Sequence, residues 1–303
     1  MKVVVFGGSG FLGSHVADVL SSEGYDVHIY DLQQSKYLKQ NQKFIKGSVL
    51  DKAKVLKAVK NMEIVYNFAA LADIKYAQDN PVKAIETNIL GNTYILEACR
   101  KNNIKRFIFG STVYVYSEHG SFYRSTKQSA ELIIENYQKI YGLDYTILRY
   151  GSLYGPRCNN FNFIGRTIHQ ALLENKIIRE GNGDELREYI HIIDAAKASI
   201  KILKDEFKNS NIIITGNKSI RVRDMLSMIN EILKGKVEII YTNKTLESHY
   251  NITPYTFKPK FAKKLQMNYH NELGQGILDQ IYSTYEKLLS EGKIDKSNIF
   301  TQD

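Results

Sequence analysis

Lys2-Val3-Val4-Val5-Phe6 runs directly into Gly7-Gly8-Ser9-Gly10-Phe11-Leu12-Gly13, and the chain continues as Ser14-His15-Val16-Ala17-Asp18-Val19-Leu20. A β-branched run, a glycine turn and a helical apolar pattern in that order predict a strand–turn–helix unit. Gly7, Gly10 and Gly13 carry no Cβ, so the backbone can turn tightly, approach a pyrophosphate closely and pack the new helix against its strand. The N–H groups that open the helix, around Phe11 and Leu12, attract phosphate. A second apolar run, Asp26-Val27-His28-Ile29-Tyr30, ends in Asp31, which stands 31 − 13 = 18 residues beyond Gly13 and is followed by Leu32. An acid at that distance binds the two ribose hydroxyls of a dinucleotide. It would repel a 2′-phosphate, and no Arg lies between Asp31 and Gln42, so the pattern favours NAD over NADP.

A chain of 303 residues can bury a large core and suits one large or two unequal domains. Hydrophobic residues make up 43%, charged residues 24%, and there are four prolines, which argues against disorder; no apolar run is long enough to span a bilayer. The N-terminal apolar stretch is one strand long and lacks the basic flank and cleavage site of a signal peptide, so the expected compartment is the cytoplasm. Cys99 and Cys158 are too few and too isolated for a disulfide framework or a zinc site, and the seven histidines show no metal-ligand spacing, so no metal is expected. The net charge of +9 suits a polyanionic partner such as a nucleotide diphosphate. The lysines are dispersed without a basic run or aromatic interleaving, which points away from nucleic acid.

Strand-like runs recur at 3–6, 26–31, 43–47, 64–69, 106–111 and 144–150, separated by helical patterns that begin near Phe11, Asp51, Pro81 and Tyr123. This alternation predicts an α/β fold, a doubly wound parallel (Rossmann) sheet spanning 1–150. Asn80-Pro81 reads as a cap followed by a first-turn proline, with Val82, Ile85, Ile89 and Ile95-Leu96 as the apolar face. After Tyr150 the pattern loosens, with Gly151, Gly155-Pro156 and Glu180-Gly181-Asn182-Gly183-Asp184, and residues 151–303 read as a smaller substrate-binding domain. A return segment at about 191–216, including the strand-like Asn211-Ile212-Ile213-Ile214, is expected to pack on the first domain, with a further helix from Val222 to Leu233. The ligand crevice is expected between the lobes, at the carboxyl ends of the strands.

Tyr123-Arg124-Ser125-Thr126-Lys127 places a phenol and an ammonium at i and i+4, on one helix face. That spacing is common by chance; its position gives it weight. The pair opens the helix that follows Arg106-Phe107-Ile108-Phe109-Gly110-Ser111-Thr112, a strand whose C-terminal end carries two hydroxyls. A phenol of ordinary pKa needs about 4 kcal/mol of help to act as a base at neutral pH, and a neighbouring ammonium with a cationic nicotinamide can supply it. Tyr123 would then take a proton from a substrate hydroxyl held by Ser111 or Thr112, with Lys127 lowering the phenol pKa.

The chain resembles the extended short-chain dehydrogenase/reductase family, and within it the NAD-dependent nucleotide-sugar epimerases and dehydratases. The resemblance rests on Gly7-x-x-Gly10-x-x-Gly13, Asp31, Gly47-Ser48-Val49-Leu50-Asp51, Asn67-Phe68-Ala69-Ala70, Asn88-x-x-Gly91-Asn92, Tyr123-x-x-x-Lys127, Leu148-Arg149-Tyr150-Gly151-Ser152-Leu153-Tyr154-Gly155-Pro156-Arg157 and Arg187-Glu188-Tyr189-Ile190-His191. It implies that Leu50 and Asp51 flank the adenine, that Ala69, Ala70 and Leu71 line the cofactor channel with Asn88, Ser111 and Tyr150 beside it, and that Ser152, Arg157 and Arg187 meet the substrate. Arg187 would grip a diphosphate, a task suited to its planar fork. The resemblance also implies a homodimer through the helices starting near Pro81 and Tyr123.

Three departures bear on the reaction. Where the family's dehydratases and decarboxylases carry an acid just after the catalytic Ser or Thr, this chain has Val113-Tyr114. The loop from Thr112 to Tyr123 is short, 123 − 112 = 11 residues. Ser152 stands where many members have Asn. The expected function is therefore an NAD-dependent nucleotide-diphosphate-sugar 4-epimerase acting through a 4-keto sugar. A dehydrogenase releasing that ketone is the alternative, and an idle NAD-binding protein a more distant one. Tyr250 to Leu265, with Thr253-Pro254 and Lys258-Pro259-Lys260, is expected to contribute to the nucleotide pocket.

Overall fold

The computed structural model describes residues 1–159, 162–242, 263–265 and 271–294. The chain divides into two compact units. Among the described residues the first comprises 1–150, 195–214 and 263–265, and the second 151–159, 162–194, 215–242 and 271–294.

The first unit is built on a parallel sheet with strands β1 (Lys2–Phe6), β2 (Asp26–Asp31), β3 (Gln42–Lys46), β4 (Ile64–Asn67), β5 (Arg106–Thr112) and β6 (Tyr145–Tyr150). Its full order is Lys263–Lys264, Ser210–Ile214, β6, β5, β4, β1, β2, β3, with every neighbouring pair parallel. β1 to β3 progress toward one edge and β4 to β6 toward the other, so the order reverses between β1 and β4. In doubly wound sheets that reversal opens a crevice at the strands' carboxyl ends.

Because successive strand residues face opposite sides, each strand contributes to two layers. Val4, Phe6, Val65, Phe107, Phe109 and Ile147 meet helices α2 (Lys52–Val59), α5 (Asn92–Lys101) and α6 (Ser121–Tyr141) in one core. Helix Ile192–Lys201 is bonded to alternate residues of the same strands β4 and β6 through Ser199, whose carbonyl accepts from Tyr66 Oη at 2.8 Å and whose hydroxyl shares a 2.6 Å bond with Tyr150 Oη. Burying both faces explains the near-continuous apolar strands.

The stretch from Asn80 to Cys99 departs from the sequence expectation. It forms α4 (Pro81–Ile85), a π turn at Glu86–Gly91 and then α5, after a short helix α3 (Ile74–Asp79) that the sequence reading missed. The π turn adds a residue to the winding and rotates the face: Ala84, Asn88 and Gly91 are buried, whereas Val82 and Ile85 are exposed. Asn80 does not cap α4 with its side chain; its amide donates to Tyr76 O at 3.1 Å and closes α3 instead. α6 begins at Ser121, two residues before Tyr123, because Gly120 at φ +99 turns the chain into it, and Gly142 at φ +70 ends it.

In the second unit, strand Leu186–His191 pairs in parallel with Ser152–Tyr154 and antiparallel with Ser219–Arg221, and Lys176–Glu180 pairs in parallel with Glu238–Thr242. Helices Phe163–Glu174, Val222–Ile232 and Leu273–Ser290 bury Ile168, Met225, Ile229, Ile277 and Ile281 in a separate core. Gln280, fully buried, donates to Cys158 Sγ and accepts the Gly155 N–H at 2.7 Å.

Candidate active site

The turn after β1 is dictated by space. Gly7 has φ +73, and a Cβ there would lie 2.6 Å from Ala69 N and 2.8 Å from Phe68 C, inside backbone that cannot yield. A Cβ on Gly13 would collide with the carbonyl of Gly7, so the residue that lets α1 (Phe11–Ser22) sit against the turn must be glycine. Gly10 precedes α1 and no side chain caps it there, which leaves first-turn N–H groups for an anion. Asp31 is fastened to this loop: Ser9 N donates to Oδ2 at 3.0 Å and Leu32 N to Oδ1 at 2.7 Å.

Gly7, Gly10, Asp31, Leu32, Leu50, Ala69 and Ala70 line one open cleft of about 810 Å³, together with Val82 and Lys83 from α4. Its size and its mixture of apolar walls with one anchored carboxylate fit a dinucleotide. Asp51 is not among the lining residues; its carboxylate caps α2 by accepting from Lys54 N, and that bond holds its pKa below the usual carboxylate range. Phe11 and Leu12 open α1 outside the cleft lining, and Gly13 lies behind it.

Three buried amides shape the segment after β4. Asn67 Oδ1 accepts from Ala69 N at 3.1 Å, and its Nδ2 donates to Asn92 Oδ1 at 2.8 Å. Asn88, in the π turn, grips the peptide of Leu71 twice: Oδ1 accepts from Leu71 N at 2.7 Å and Nδ2 donates to Leu71 O at 3.1 Å. The same Nδ2 donates to Thr126 Oγ1 at 3.0 Å, so one side chain ties the cleft wall to α6 between Tyr123 and Lys127. Asn88 thus holds the Leu71 peptide, which follows the lining residues Ala69 and Ala70 but is not itself in the cleft lining.

The strand–helix constellation lies in the same unit. The Thr112 hydroxyl lies close enough to Tyr123 to lower its phenol pKa, and Thr112 Oγ1 accepts from Tyr114 N at 3.2 Å, which begins the turn Val113–Tyr116. Burial pushes the Tyr123 phenol up to about 12, with the Thr112 hydroxyl acting against it. Lys127 is buried, donates from Nζ to Gly110 O at 2.6 Å, and sits 4.6 Å above the Phe109 ring and 5.9 Å from that of Tyr123. Burial brings its ammonium down to about 7, opposed by the charge of Glu131.

The two hydroxyls at the end of β5 have different surroundings. Ser111 is buried and donates to Glu131 Oε1 at 2.6 Å, whereas Thr112 is the one close to Tyr123. Tyr150 is a core residue whose phenol is engaged with Ser199; burial pushes its pKa up. The short loop is tied down from α6, with Arg124 Nη1 donating to Ser117 O and Gln128 Nε2 to Val115 O, both at 2.8 Å.

In the second unit Ser152 starts its strand, Arg157 adopts φ +65, and Arg187 is buried with Nη1 donating to Leu186 O at 2.9 Å. Arg179 pairs with Glu185, and its pKa is lowered by burial first and then by the charges of Arg187 and Arg166. Arg187 and Arg166 thus both lie within electrostatic reach of Arg179, whose own charge is met by Glu185. Most of the Tyr250 to Leu265 segment lies outside the described residues.

The model of the NAD dependent epimerase/dehydratase family matches residues 3–215. The chain belongs to this family. It is an NAD-dependent enzyme of the nucleotide-sugar epimerase/dehydratase type. It is 30% identical over 260 residues to a putative UDP-glucose 4-epimerase of Methanocaldococcus jannaschii, covering 79% of this chain and 85% of that one. It is also 30% identical over 268 residues to a UDP-N-acetyl-α-D-glucosaminuronate decarboxylase of Bacillus cytotoxicus, covering 79% and 83%. Among solved structures, the UDP-glucose 4-epimerase of Thermotoga maritima with UDP-glucose has TM-score 0.83 at 25% identity, over 95% of this chain and all of that one. Among the described residues no helix is long and apolar enough to cross a membrane, and no three His, Cys, Asp or Glu side chains are grouped to hold a metal.

Sequence reasoning missed Glu131, Arg149 and Tyr116, which form a buried group behind Lys127. Arg149 was visible only as part of a family motif, and Glu131 sits one helical turn beyond Lys127, a spacing that could have drawn attention.

Proposed function

We propose that the chain is a nucleotide-diphosphate-sugar 4-epimerase that works through a 4-keto sugar, with Tyr123, Lys127 and Thr112 as its catalytic residues. The observation that carries this reading is the Tyr123 phenol on α6, its pKa acted on by the Thr112 hydroxyl at the end of β5 and its ring 5.9 Å from the buried Lys127 amine, with Val113 and Tyr114 following where an acid would otherwise stand. Thr112 holds the substrate hydroxyl against the Tyr123 oxygen, Tyr123 takes the proton from it, and after the sugar has turned over Tyr123 returns that proton to the oxygen on the other face. NAD, when bound, accepts hydrogen from the same carbon and gives it back, and its cationic ring adds to the field that favours the phenolate. With the phenol at about 12, reaching an operating value near neutral takes about 7 kcal/mol, so Lys127 must contribute as an ammonium.

Gly7, Gly10, Phe11, Leu12 and Gly13 take the pyrophosphate, Asp31 and Leu32 the adenosine ribose, and Leu50 the adenine. Ala69, Ala70 and Leu71 form the wall, with Asn88 and Tyr150 supporting it. Ser111 we assign to anchoring β5, because its hydroxyl is already given to Glu131. Arg187, with Arg157 and Ser152, takes the substrate diphosphate. Uridine diphosphate sugars are the substrate class to try first, since the printed names of several relatives carry them. Elimination and decarboxylation rank lower for want of an acid in the Val113–Tyr116 turn. The exposed apolar side chains Val82 and Ile85 on α4 and Phe122, Leu132 and Ile140 on α6 support a homodimer through these helices, which light scattering of the purified protein would check.

The test is incubation with UDP-glucose, UDP-N-acetylglucosamine and UDP-glucuronate, following absorbance at 340 nm alongside product NMR. A 4-epimer without net NADH supports the reading. Accumulating NADH with a free 4-keto sugar would replace it by the dehydrogenase.

A further inference from the structure

Glu131 has its entire side chain out of water, as has Arg149. Arg149 forks onto it, Nε to Oε1 at 3.0 Å and Nη2 to Oε2 at 2.7 Å, while Ser111 Oγ donates to Oε1. The remaining arm of Arg149 donates from Nη1 to the Tyr116 phenol at 2.5 Å, and its guanidinium lies 4.9 Å from that ring's centre. The network therefore joins four pieces of the site: α6 through Glu131, β5 through Ser111, β6 through Arg149, and the turn after Thr112 through Tyr116. A buried ion pair is weak evidence of stabilisation, because desolvation costs as much as the attraction returns. Its persistence here, one turn from Lys127, calls for another explanation.

The Lys127 amine donates to the carbonyl of Gly110, which carries no charge. The titratable groups that face Glu131 are Lys127 on its own helix, Arg149 and Tyr145 from β6, and Tyr116 from the turn. From β5, Ser111 donates to Glu131 and the Gly110 carbonyl accepts from Lys127. Glu131 is thus the anion acting on a buried amine whose burial favours the neutral form.

We propose that Glu131, fixed by Arg149 and Ser111, is the positioning counter-charge that keeps Lys127 an ammonium at neutral pH while its hydrogen bonds hold Thr112 and the following turn in register with Tyr123. The inference rests on the reading of Tyr123 and Lys127 given above. It assigns Glu131 no contact with substrate or cofactor. Arg149 matters in it as the clamp that stops the carboxylate from swinging onto Lys127 and forming a closed pair. Ser111 carries the same arrangement to β5, whose next residue is Thr112.

The experiment follows Lys127 directly. Protein labelled with 13Cε-lysine is titrated by NMR across neutral pH, the Lys127 resonance being assigned by its absence from Lys127→Arg. In Glu131→Gln the Lys127 midpoint is expected to fall by about one pH unit or more, a tenfold loss of proton affinity. Should Glu131→Gln not fold, because it leaves Arg149 buried without a counter-charge, the double variant Glu131→Gln/Arg149→Met removes both charges, and the Lys127 midpoint is expected to fall in it too, by less than in the single variant because the Arg149 cation goes with the carboxylate. Glu131→Asp, which keeps the charge, should restore most of the midpoint. In turnover assays the Gln variants should lose at least tenfold in kcat at neutral pH with the nucleotide-sugar KM unchanged.

An unchanged Lys127 midpoint in a folded variant that still binds NAD overturns the proposal. A lowered midpoint with unchanged kcat upholds Glu131 as the counter-charge and instead rejects the role given to Tyr123 and Lys127.

Discussion

Gly7 and Gly142 have almost the same φ, +73 and +70, in the left-handed region, and very different surroundings, which makes alanine at each a matched pair. At Gly142 a Cβ meets nothing within 4 Å, so Gly142→Ala should cost only the strain of a left-handed non-glycine residue, about 1–2 kcal/mol. At Gly7 the same strain is joined by a Cβ 2.6 Å from Ala69 N and 2.9 Å from Ala69 Cα. Relief requires β1 and the segment after β4 to part, an overpacking cost of about 1–3 kcal/mol, so the total should be about 2–5 kcal/mol. Parting those segments also deforms the cleft between Gly7 and Ala69, so NAD affinity should fall at least tenfold, about 1.4 kcal/mol, whereas Gly142→Ala should leave it alone. Urea unfolding gives the first quantity and calorimetric titration with NAD the second. If Gly7→Ala proves no more destabilising than Gly142→Ala and binds NAD normally, the close approach argued for the turn is wrong.

Other expectations follow from the same geometry. Lys127 sits at about 7 in the fold against an ordinary lysine value of 10.5, so between those values the unfolded chain binds more protons and stability should rise with pH; the burial cost, at most about 5 kcal/mol, is present in full below pH 7 and vanishes above the unfolded value. Lys127→Met should therefore raise the unfolding midpoint at neutral pH and flatten that rise while turnover is lost, and a melting curve with the wild-type pH slope would count against it. Asp31→Asn keeps an acceptor for Ser9 or Leu32 but removes the charge, so NAD should bind about tenfold more weakly and discrimination against NADP should relax, as titration with both cofactors would register. Asn88→Ala removes both bonds to Leu71 and the one to Thr126, and should cost about 1–3 kcal/mol in denaturant unfolding together with a measurable loss of NAD affinity; an unaffected Kd would show that the Leu71 peptide holds itself.

The parallel sheet and the glycine turn could be read from the chain because their causes are local. Runs such as Val3-Val4-Val5 have one plausible fate between a charged start and a glycine turn, and Gly13 announces a close packing that a Cβ forbids. The Tyr123–Lys127 spacing was likewise legible, since i and i+4 share a helix face. What stayed hidden depends on long-range partners. Whether Ser111 or Thr112 meets Tyr123 is decided by Glu131, twenty residues away, through a buried bond that no periodicity encodes. The π turn that exposes Val82 and Ile85 preserves a helical appearance in sequence while shifting the phase. That the Asp51 carboxylate also caps α2 through Lys54 N was likewise not visible in its motif.

If the Tyr123 oxygen carries the proton in the reaction, Tyr123→Phe, which deletes that oxygen and leaves the ring, should disable turnover alone. Measured with the nucleotide sugar that turns over, the variant should lose at least a hundredfold in kcat, the scale of a missing general base, while its NAD affinity stays at the wild-type value. Turnover within a few-fold of wild type, with NAD still bound, would contradict the mechanism.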